Sequence, residues 1–174
     1  MLKRPYRIEP YNPEWRTKYE RIQNDITESF GNKALMIQHV GSTSIPGMSA
    51  KAVIDVLVTI AHIEPFIHEK EEMVRRGYKW EDEYINPNTI LFYQAKEDEE
   101  KLVNIHVVEK GSFDEEKLLL TTNYLKAHPE RVQMYKDLKA SLYKQYPDDY
   151  PAYRAGKQDF LKETQQFALK ELDK

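Results

Sequence analysis

The chain has 174 residues, of which 40% are hydrophobic and 32% are charged, and it carries a formal net charge of −3 and no cysteine. This length and composition predict one folded domain and exclude a disordered chain, which would be less apolar. The absence of cysteine excludes disulfides and thiolate metal sites, so His, Asp and Glu are the strong candidate ligands for a metal.

The first part of the chain carries helical and strand patterns. A helix is predicted over 12–30, with Asn12 as its N-cap, Pro13 at the first helical position and apolar side chains at helical spacing up to Phe30, where Gly31 ends it. A second helical pattern covers 64–76. Apolar and β-branched runs predict strands over 34–40, 52–60, 78–84, 89–95 and 102–108, the third and fourth joined across 86–88.

After Gly111 the patterns are helical only, over 113–125, 129–146 and 149–172. Strands followed by a run of helices indicate an α+β fold. We therefore predict a single domain over 1–174, with an α/β core that contains the sheet at 1–111 and a helical portion packed on it at 112–174.

A glycine turn ends the first predicted strand. Gly41, Ser42 and Thr43 can offer backbone N–H groups and hydroxyls to a phosphate, because glycine permits close backbone approach. Taken alone, the same three residues are more typical of an ordinary strand-exit turn.

Asp55 lies inside an otherwise apolar strand, where an unpaired carboxylate is costly to bury. A cation would satisfy this carboxylate, and so would backbone donors. A Gly-Ser turn followed by an aspartate on a strand is the arrangement of polymerase-beta-type nucleotidyltransferases, in which the turn holds the triphosphate and the carboxylates hold magnesium. The combination is therefore more specific than either part.

The segment from His39 to Val58, HVGSTSIPGMSAKAVIDVLV, resembles the signature of the GrpB family, which belongs to the nucleotidyltransferase superfamily. Further matches in the family's order lie at 11–15, 104–108, 124–130 and 153–160, so the resemblance spans nearly the whole chain. It implies a polymerase-beta-type, nucleotidyltransferase-like fold with a mixed sheet and helices, followed by a C-terminal helical portion. It implies a pocket without fixing its substrate.

The sequence departs from the superfamily pattern at two places. A second acid is expected two residues after Asp55, and that position is Leu57. Two-metal phosphoryl transfer needs cations about 3.5–4 Å apart that share carboxylates, so half of the usual pair is missing. In the family, an Arg-Asp pair often stands directly before the Tyr-Leu of the first C-terminal helix. In this chain Thr122 and Asn123 occupy those two positions, so a charge that the family places in the cleft is missing.

Two histidines complete the predicted metal site with Asp55. His106 can supply an imidazole ligand or act as a base, and Asn104, on the same strand face, can supply a carbonyl oxygen. His39 precedes the glycine turn and can bind a metal, or contact phosphate when protonated. We expect magnesium or manganese, with zinc as a further candidate, and a site of Asp55 and His106 suits manganese or zinc better than magnesium. The alternative for each histidine is a buried imidazole with a hydrogen-bond partner.

Three further residues are predicted to contact the ligand. Lys51 follows the glycine turn and can neutralise a phosphate. Tyr153 and Lys157 are four residues apart on the last predicted helix, so both can point into one cleft, Lys157 to phosphate and Tyr153 to base or sugar. A solvated lysine and an incidental surface pair are the alternatives.

We therefore expect a metal-dependent nucleotidyltransferase that moves an NMP group from an NTP to a small acceptor, with Asp55 and His106 as catalytic residues. The alternative is a catalytically inactive module that binds a nucleotide or a phosphorylated small molecule, and Leu57 supports it. An interaction platform for protein or RNA is a third, less favoured hypothesis. No apolar stretch has the length of a membrane span and the net charge is negative, so we expect a cytoplasmic protein without membrane or nucleic-acid partners.

Overall fold

The computed structural model describes residues 6–63, 67–82, 84, 88–97 and 100–172. Within these ranges the helices are α1 (Glu14–Phe30), α2 (Ile67–Arg75), α3 (Phe113–Ala127), α4 (Pro129–Gln145), α5 (Tyr150–Gly156) and α6 (Gln158–Leu172). The strands are β1 (Met36–Val40), β2 (Ile54–Ile60), β3 (Lys79–Asp82), β4 (Thr89–Ala95) and β5 (Lys101–Glu109). None of the helices in this part of the chain is long and apolar enough to cross a membrane.

The strands form one mixed sheet in the order β1, β2, β5, β4, β3. β2 and β5 are parallel, and the other neighbours are antiparallel. The register pairs Asp55 with Asn104 and Leu57 with His106. Because directly paired residues project to the same face and alternate along each strand, these four side chains share one face of the sheet.

The two faces of the sheet are covered by different parts of the chain. Helices α1 and α2 cover one face, where Ile22, Ile26 and Phe30 recur along α1 at helical spacing and pack on the strands. Helix α3 covers part of the other face, contacts β1, β2 and β5, and packs against α6. The face that carries Asp55 is therefore the one that meets the C-terminal helices.

The predicted α+β fold with a mixed sheet and C-terminal helices is confirmed. The N-cap prediction is off by one residue: α1 begins at Glu14 with Pro13 at the cap position, while the Asn12 side chain accepts the Glu14 N–H at 2.9 Å. Gly31 ends the helix at φ +53° as expected. Two predicted segments lie partly outside the described residues: the connection over 86–88 and the helix over 64–76. The division of the domain at residue 111 stays a prediction.

One helical prediction is wrong in a way that matters for the site. The pattern over 149–172 is not one helix, since α5 ends at Gly156 and α6 begins at Gln158. At Gly156 a Cβ atom would lie 2.4 Å from Cδ2 of Leu142 on α4, so the chain passes α4 too closely for any larger residue. Lys157 thus stands at a break between two helices rather than one turn along a continuous one.

Candidate functional site

Strand β1 runs into a glycine turn, residues 41–44, that touches the Asp55 carboxylate. Gly41 has φ +70°, in the left-handed region that other residues avoid. A Cβ atom on Gly41 would lie 2.8 Å from Oδ2 of Asp55. The pairing of Val40 with Asp55 across β1 and β2 brings the two together. Glycine is required here because the backbone lies against the carboxylate.

Two neutral residues of α3 hold the end of β1. The hydroxyl of Thr122 accepts the N–H of Gly41 at 3.1 Å, and the side-chain oxygen of Asn123 accepts from Gln38 at 3.0 Å. The N–H of Gly41 is therefore engaged within the protein, which corrects its predicted contact with phosphate. The N–H groups of Ser42 and Thr43 donate to no residue that the structure describes, so these two remain for a ligand.

The Thr43 side chain faces inward. Its hydroxyl donates to the carbonyl of Val53 at 3.1 Å and lies 2.9 Å from Nε2 of His39. A hydroxyl has one proton, so the His39 nitrogen is the donor in the second bond. Thr43 is buried and both of its hydrogen bonds are internal, which corrects the expectation that its hydroxyl contacts phosphate.

His39 lies on the sheet face opposite Asp55. It pairs with Val56, stacks on the Tyr19 ring at a centroid distance of 4.8 Å, and is buried. Burial, together with the nearby charge of Lys126, lowers the pKa of His39 to about 4. The structure does not bring His39 to Asp55, so the predicted metal and phosphate contacts of His39 are corrected to a neutral core imidazole.

The structure does bring together Asp55, Asn104 and His106. Asn104 donates its Nδ2 to Oδ1 of Asp55 at 2.9 Å, and Nε2 of His106 lies 3.9 Å from the same oxygen. Oδ1 of Asn104 and Nδ1 of His106 are buried and have no hydrogen-bond partner among the described residues. Buried polar atoms are nearly always satisfied, so these two call for a partner that the described residues do not supply, such as a water molecule or an ion.

The place of the missing acid is part of the core. Leu57 is 0% exposed and packs with Val40 and Val108 beneath Leu118 and Leu119 of α3. A carboxylate at this position would be buried among apolar side chains, which is costly without a partner. A leucine, by contrast, fits the packing of α3 on the sheet.

The donor set around Asp55 fits one cation better than two. It offers a carboxylate, an amide oxygen from Asn104 and an imidazole from His106, which suits a single ion of intermediate hardness. Within the described ranges no group of three or more His, Asp or Glu side chains is placed to hold a metal. A pair of cations would need a bridging carboxylate that Leu57 does not supply.

The charge of Asp55 acts on Lys51 and Lys157, and Lys139 lies buried against the glycine turn. The ammonium of each of these three lysines lies over the ring of a tyrosine. The pairs are Lys51 over Tyr150, Lys139 over Tyr135 and Lys157 over Tyr153, at 4.2, 4.6 and 4.7 Å from the ring centroids. Lys139 is 1% exposed and donates to Oγ of Ser42 at 3.3 Å and to the carbonyl of Ser49. The glycine turn is thereby tied to α4.

The electrostatic environment of these lysines disfavours their charged forms. Burial, with repulsion from Lys157, lowers the pKa of Lys139 to about 7. Burial likewise lowers the pKa of Lys157 to about 8, together with repulsion from Arg154, and the charge of Asp55 offsets part of this shift. The pKa of Lys51 is also lowered, chiefly by burial. Each shift means that the charged form is costly without a nearby anion.

Tyr153 is a core residue. It is 2% exposed and packs with Tyr6 and Leu142, so its ring is covered on the side away from Lys157. This burial corrects the expected contact of Tyr153 with a base or sugar. The ring instead supports the Lys157 ammonium that lies over it.

Lys139 and Tyr150 lie near the candidate site, although the sequence pattern did not assign them contacts. Lys139 had a detectable signal: with Tyr135 and Leu142 it lies at i, i+4 and i+7 of the predicted helix, so a lysine occupies the buried stripe. Such a position calls for an explanation because lysine is rarely buried without a partner. Tyr150 had no comparable signal among the twelve tyrosines.

Comparison with known proteins gives the context of this geometry. The family model described as GrpB protein matches residues 5–166. The UPF0157 protein YqkA of Bacillus subtilis is 33% identical over 166 residues, which are 95% of this chain and 48% of YqkA. A dephospho-CoA kinase of Mycolicibacterium paratuberculosis is 27% identical over 184 residues, 92% of this chain and 45% of that protein. The chain thus spans about half the length of these relatives.

Solved structures show the same fold. The crystal structure of the conserved protein GrpB from Enterococcus faecalis superposes with a TM-score of 0.86 at 27% identity, covering 97% of this chain and 100% of that one. A cytoplasmic RNA terminal U-transferase superposes with a TM-score of 0.54 at 13% identity, covering 79% of this chain and 41% of that one. The second likeness shows a nucleotidyltransferase-like fold.

Proposed function

Because this chain belongs to the GrpB family and has a nucleotidyltransferase-like fold, we propose that it binds a nucleoside triphosphate in the cleft between the Asp55 face of the sheet and helices α4 and α5. It transfers the NMP group to a small acceptor with the help of one divalent cation, magnesium or manganese, with zinc as a further candidate.

The proposal rests on one observation: acidic and polar groups of the sheet lie near the ammonium groups of lysines. On one side lie the Asp55 carboxylate and the open polar atoms of Asn104 and His106. On the other side lie Lys51 and Lys157, whose ammonium groups are partly buried and attracted by Asp55. A ligand that carries phosphates and a cation satisfies both sides.

In the proposed reaction the oxygen of the acceptor hydroxyl attacks the α-phosphorus, and the bond from this phosphorus to the bridging oxygen breaks. Pyrophosphate leaves, and the proton of the acceptor passes to His106. Asp55 would hold the cation, which would neutralise charge on the phosphates, and His106 would stay free of it as the base. The N–H groups of Ser42 and Thr43 and the ammonium groups of Lys51 and Lys157 bind the leaving phosphates.

Release of pyrophosphate tests this proposal. The protein is incubated with each of the four NTPs, with magnesium, manganese or zinc, and with a panel of small hydroxyl and phosphate acceptors. We expect release with at least one combination, lost in Asp55→Asn and kept in Asp159→Asn, which removes an exposed carboxylate on α6. Equal release in the two variants, or none from any combination, contradicts the transfer reaction.

A second candidate is a module that binds a nucleotide or phosphometabolite without transferring it. The buried Leu57 favours this candidate, because a single carboxylate leaves the two-cation arrangement incomplete. The likeness to a dephospho-CoA kinase adds dephospho-CoA, a nucleotide-containing metabolite, to the ligands to be tried.

Thermal unfolding separates the two candidates. A ligand at a hundred times its dissociation constant stabilises the folded state by about 2.7 kcal/mol. Stabilisation by a nucleotide or by dephospho-CoA, without pyrophosphate release, supports the binding module. No shift with any of these ligands contradicts both candidates.

A further inference from the structure

Strand β3 forms one edge of the sheet, and its outer side pairs with no strand that the structure describes. It pairs with β4 alone, from Lys79 to Asp82. The N–H and C=O groups of every second residue therefore face away from the sheet. All four side chains of β3 are exposed. A free edge of this kind is a template for pairing with another strand.

An apolar groove lies beside this edge, between β3 and helix α2. Ile67 and Val74 are seven residues apart on one side of α2, and Trp80 of β3 lines the groove with them. Their exposed fractions are 67%, 44% and 45%, which is high for large apolar side chains that lie together. Lys70 lies over the Trp80 ring and pairs with Asp82, so charged groups flank the groove. An apolar groove open at a sheet edge is typical of an interaction surface.

Strand alternation separates the apolar and the charged side chains of β3. Trp80 and Asp82 project towards α2, where Lys70 contacts both. Lys79 and Glu81 project to the opposite face, on which the candidate site lies. Neither Lys79 nor Glu81 forms a salt bridge with another described residue. Two opposite charges on this edge are therefore left for a partner.

With a symmetry axis inside β3, the charges allow antiparallel pairing of this strand with its own copy in one register only. Two identical antiparallel strands are related by a two-fold axis perpendicular to the sheet, so one residue lies opposite itself. An axis at Lys79, Glu81 or Asp82 puts that side chain opposite an identical charge, which is unfavourable. An axis at Trp80 puts the two indoles side by side and puts Lys79 opposite Glu81 of the second copy, on both sides of the axis.

We propose that β3 pairs antiparallel with β3 of a second copy of this chain, centred on Trp80, so that two five-stranded sheets join into one of ten strands. The two indoles and the two apolar grooves lie on the α2 face of the joined sheet. The two pairs of Lys79 and Glu81 lie on the other face. Charged side chains on an edge strand commonly prevent pairing, but in this register they specify it. The inference is independent of the proposed nucleotide site.

Sedimentation of the whole chain at concentrations of about 5–500 µM tests the pairing. We expect a monomer–dimer equilibrium with a dissociation constant on the order of 10 µM, because two short strands and their grooves form a small interface. Hydrogen exchange of residues 79–82 should slow as the protein concentration rises through this range. A monomer at all concentrations would leave the edge to a strand of another protein and overturns the proposal.

Charge reversal tests the register. Lys79→Glu and Glu81→Lys each place like charges opposite each other at both pairs, so each should weaken the dimer by about tenfold. An equimolar mixture of these two variants restores the opposite charges and should form a heterodimer as tight as the original dimer. The double variant should likewise dimerise with itself. Lys144→Glu, which reverses the charge of an exposed lysine on α4, should leave dimerisation unchanged.

The outcomes that overturn the pairing at β3 are a dimer that is insensitive to both reversals and a mixture that dissociates like the single variants. Trp80→Ser tests the axis separately and should weaken the dimer by about tenfold, because it removes the apolar contact at the centre. Unchanged affinity of Trp80→Ser overturns the axis at this residue. Asp55→Asn should dimerise like the original protein, so failure of the transfer reaction and failure of the pairing are distinguishable.

Discussion

Gly41 combines a left-handed backbone with close contact to a charged side chain. Replacement by alanine imposes about 1–2 kcal/mol for the backbone conformation, and the clash of its Cβ with Asp55 adds about 1–3 kcal/mol. Gly47 is the matched control, because it has φ +75° and a Cβ atom added there would meet no atom within 4 Å. Urea unfolding should show Gly41→Ala to be less stable than Gly47→Ala, and equal losses would contradict the close contact.

Lys139 makes stability depend on pH. Its pKa is about 7 in the folded protein against an ordinary 10.5. Between these values the unfolded chain binds a proton that the folded protein has lost, so the free energy of unfolding rises with pH from about 7 to about 10. Below pH 7 the folded protein bears the full cost of a buried ammonium. Lys157 adds a change of the same sign.

The Lys139→Met variant should remove part of this pH dependence. Urea unfolding from about pH 7.5 to 9.5 should give a slope smaller than that of the unmodified protein by up to about 1 kcal/mol per pH unit. The groups that face Lys139 are Lys136, Lys157 and the Tyr135 ring, and none of them is a carboxylate that would offset the effect. Lys144→Met should keep the original slope, and an unchanged slope in Lys139→Met would refute a buried, unneutralised lysine.

At the residue scale, the sequence identified polar residues near the candidate site, but it did not show which way each side chain points. Asp55 and His106 could be placed together because strand alternation fixes the face of each side chain. His39 and Thr43 could not. His39 lies before the glycine turn and Thr43 lies within it, but their side chains turn inward and bond to each other. The choice of face depends on strand pairing, which is a long-range property that a local pattern does not contain.

Helices α4, α5 and α6 meet at Gly156, where the absence of a side chain allows close packing on Leu142. Gly156→Ala should destabilise the protein by about 1–3 kcal/mol through overpacking. Leu142→Ala alone should cost about 2–4 kcal/mol because it opens a cavity. The double variant should be less destabilised than the sum of the two, since the smaller residue at 142 makes room for the new methyl group.

Unfolding free energies of the four proteins in this double-mutant cycle measure the coupling. Additive losses would indicate that Leu142 moves aside without strain, contrary to the packing described. The break between α5 and α6 was not predicted from sequence, because Gly156 inside a helical pattern is compatible with a continuous helix. The contact with α4 shows that Gly156 also has a packing role beside this one-residue interruption at Lys157.

At the scale of the whole molecule, the sheet separates the face that carries the main apolar core from the face that carries the candidate site. Helices α1 and α2 cover one face with an apolar core. On the other face, α3 covers Leu57 and leaves Asp55 facing the cleft, while Ile45 and Met48 anchor the segment after the glycine turn among Leu125 and Tyr135. The C-terminal helices therefore supply the cations that the sheet lacks.

The overall fold was predictable because its signals are local and periodic: an amphipathic α1, apolar strands and a helical second half. The cleft was predictable only in part. Its acidic side follows from one strand motif, whereas its basic side depends on how three helices are placed on the sheet. Lys51 and Lys157 were predicted as ligand contacts from their positions after the glycine turn and four residues from Tyr153, whereas Lys139 became a candidate only from its burial.

The most direct test of the central claim is the position of a cation and a triphosphate in the cleft. Crystals grown with Mn²⁺ and a non-hydrolysable NTP analogue would reveal the ion by its anomalous scattering. We predict one anomalous peak within about 2.0–2.6 Å of an Asp55 oxygen, with the phosphates against Ser42, Lys51 and Lys157. A nucleotide bound elsewhere, or an empty cleft at saturating nucleotide, would contradict the proposed site.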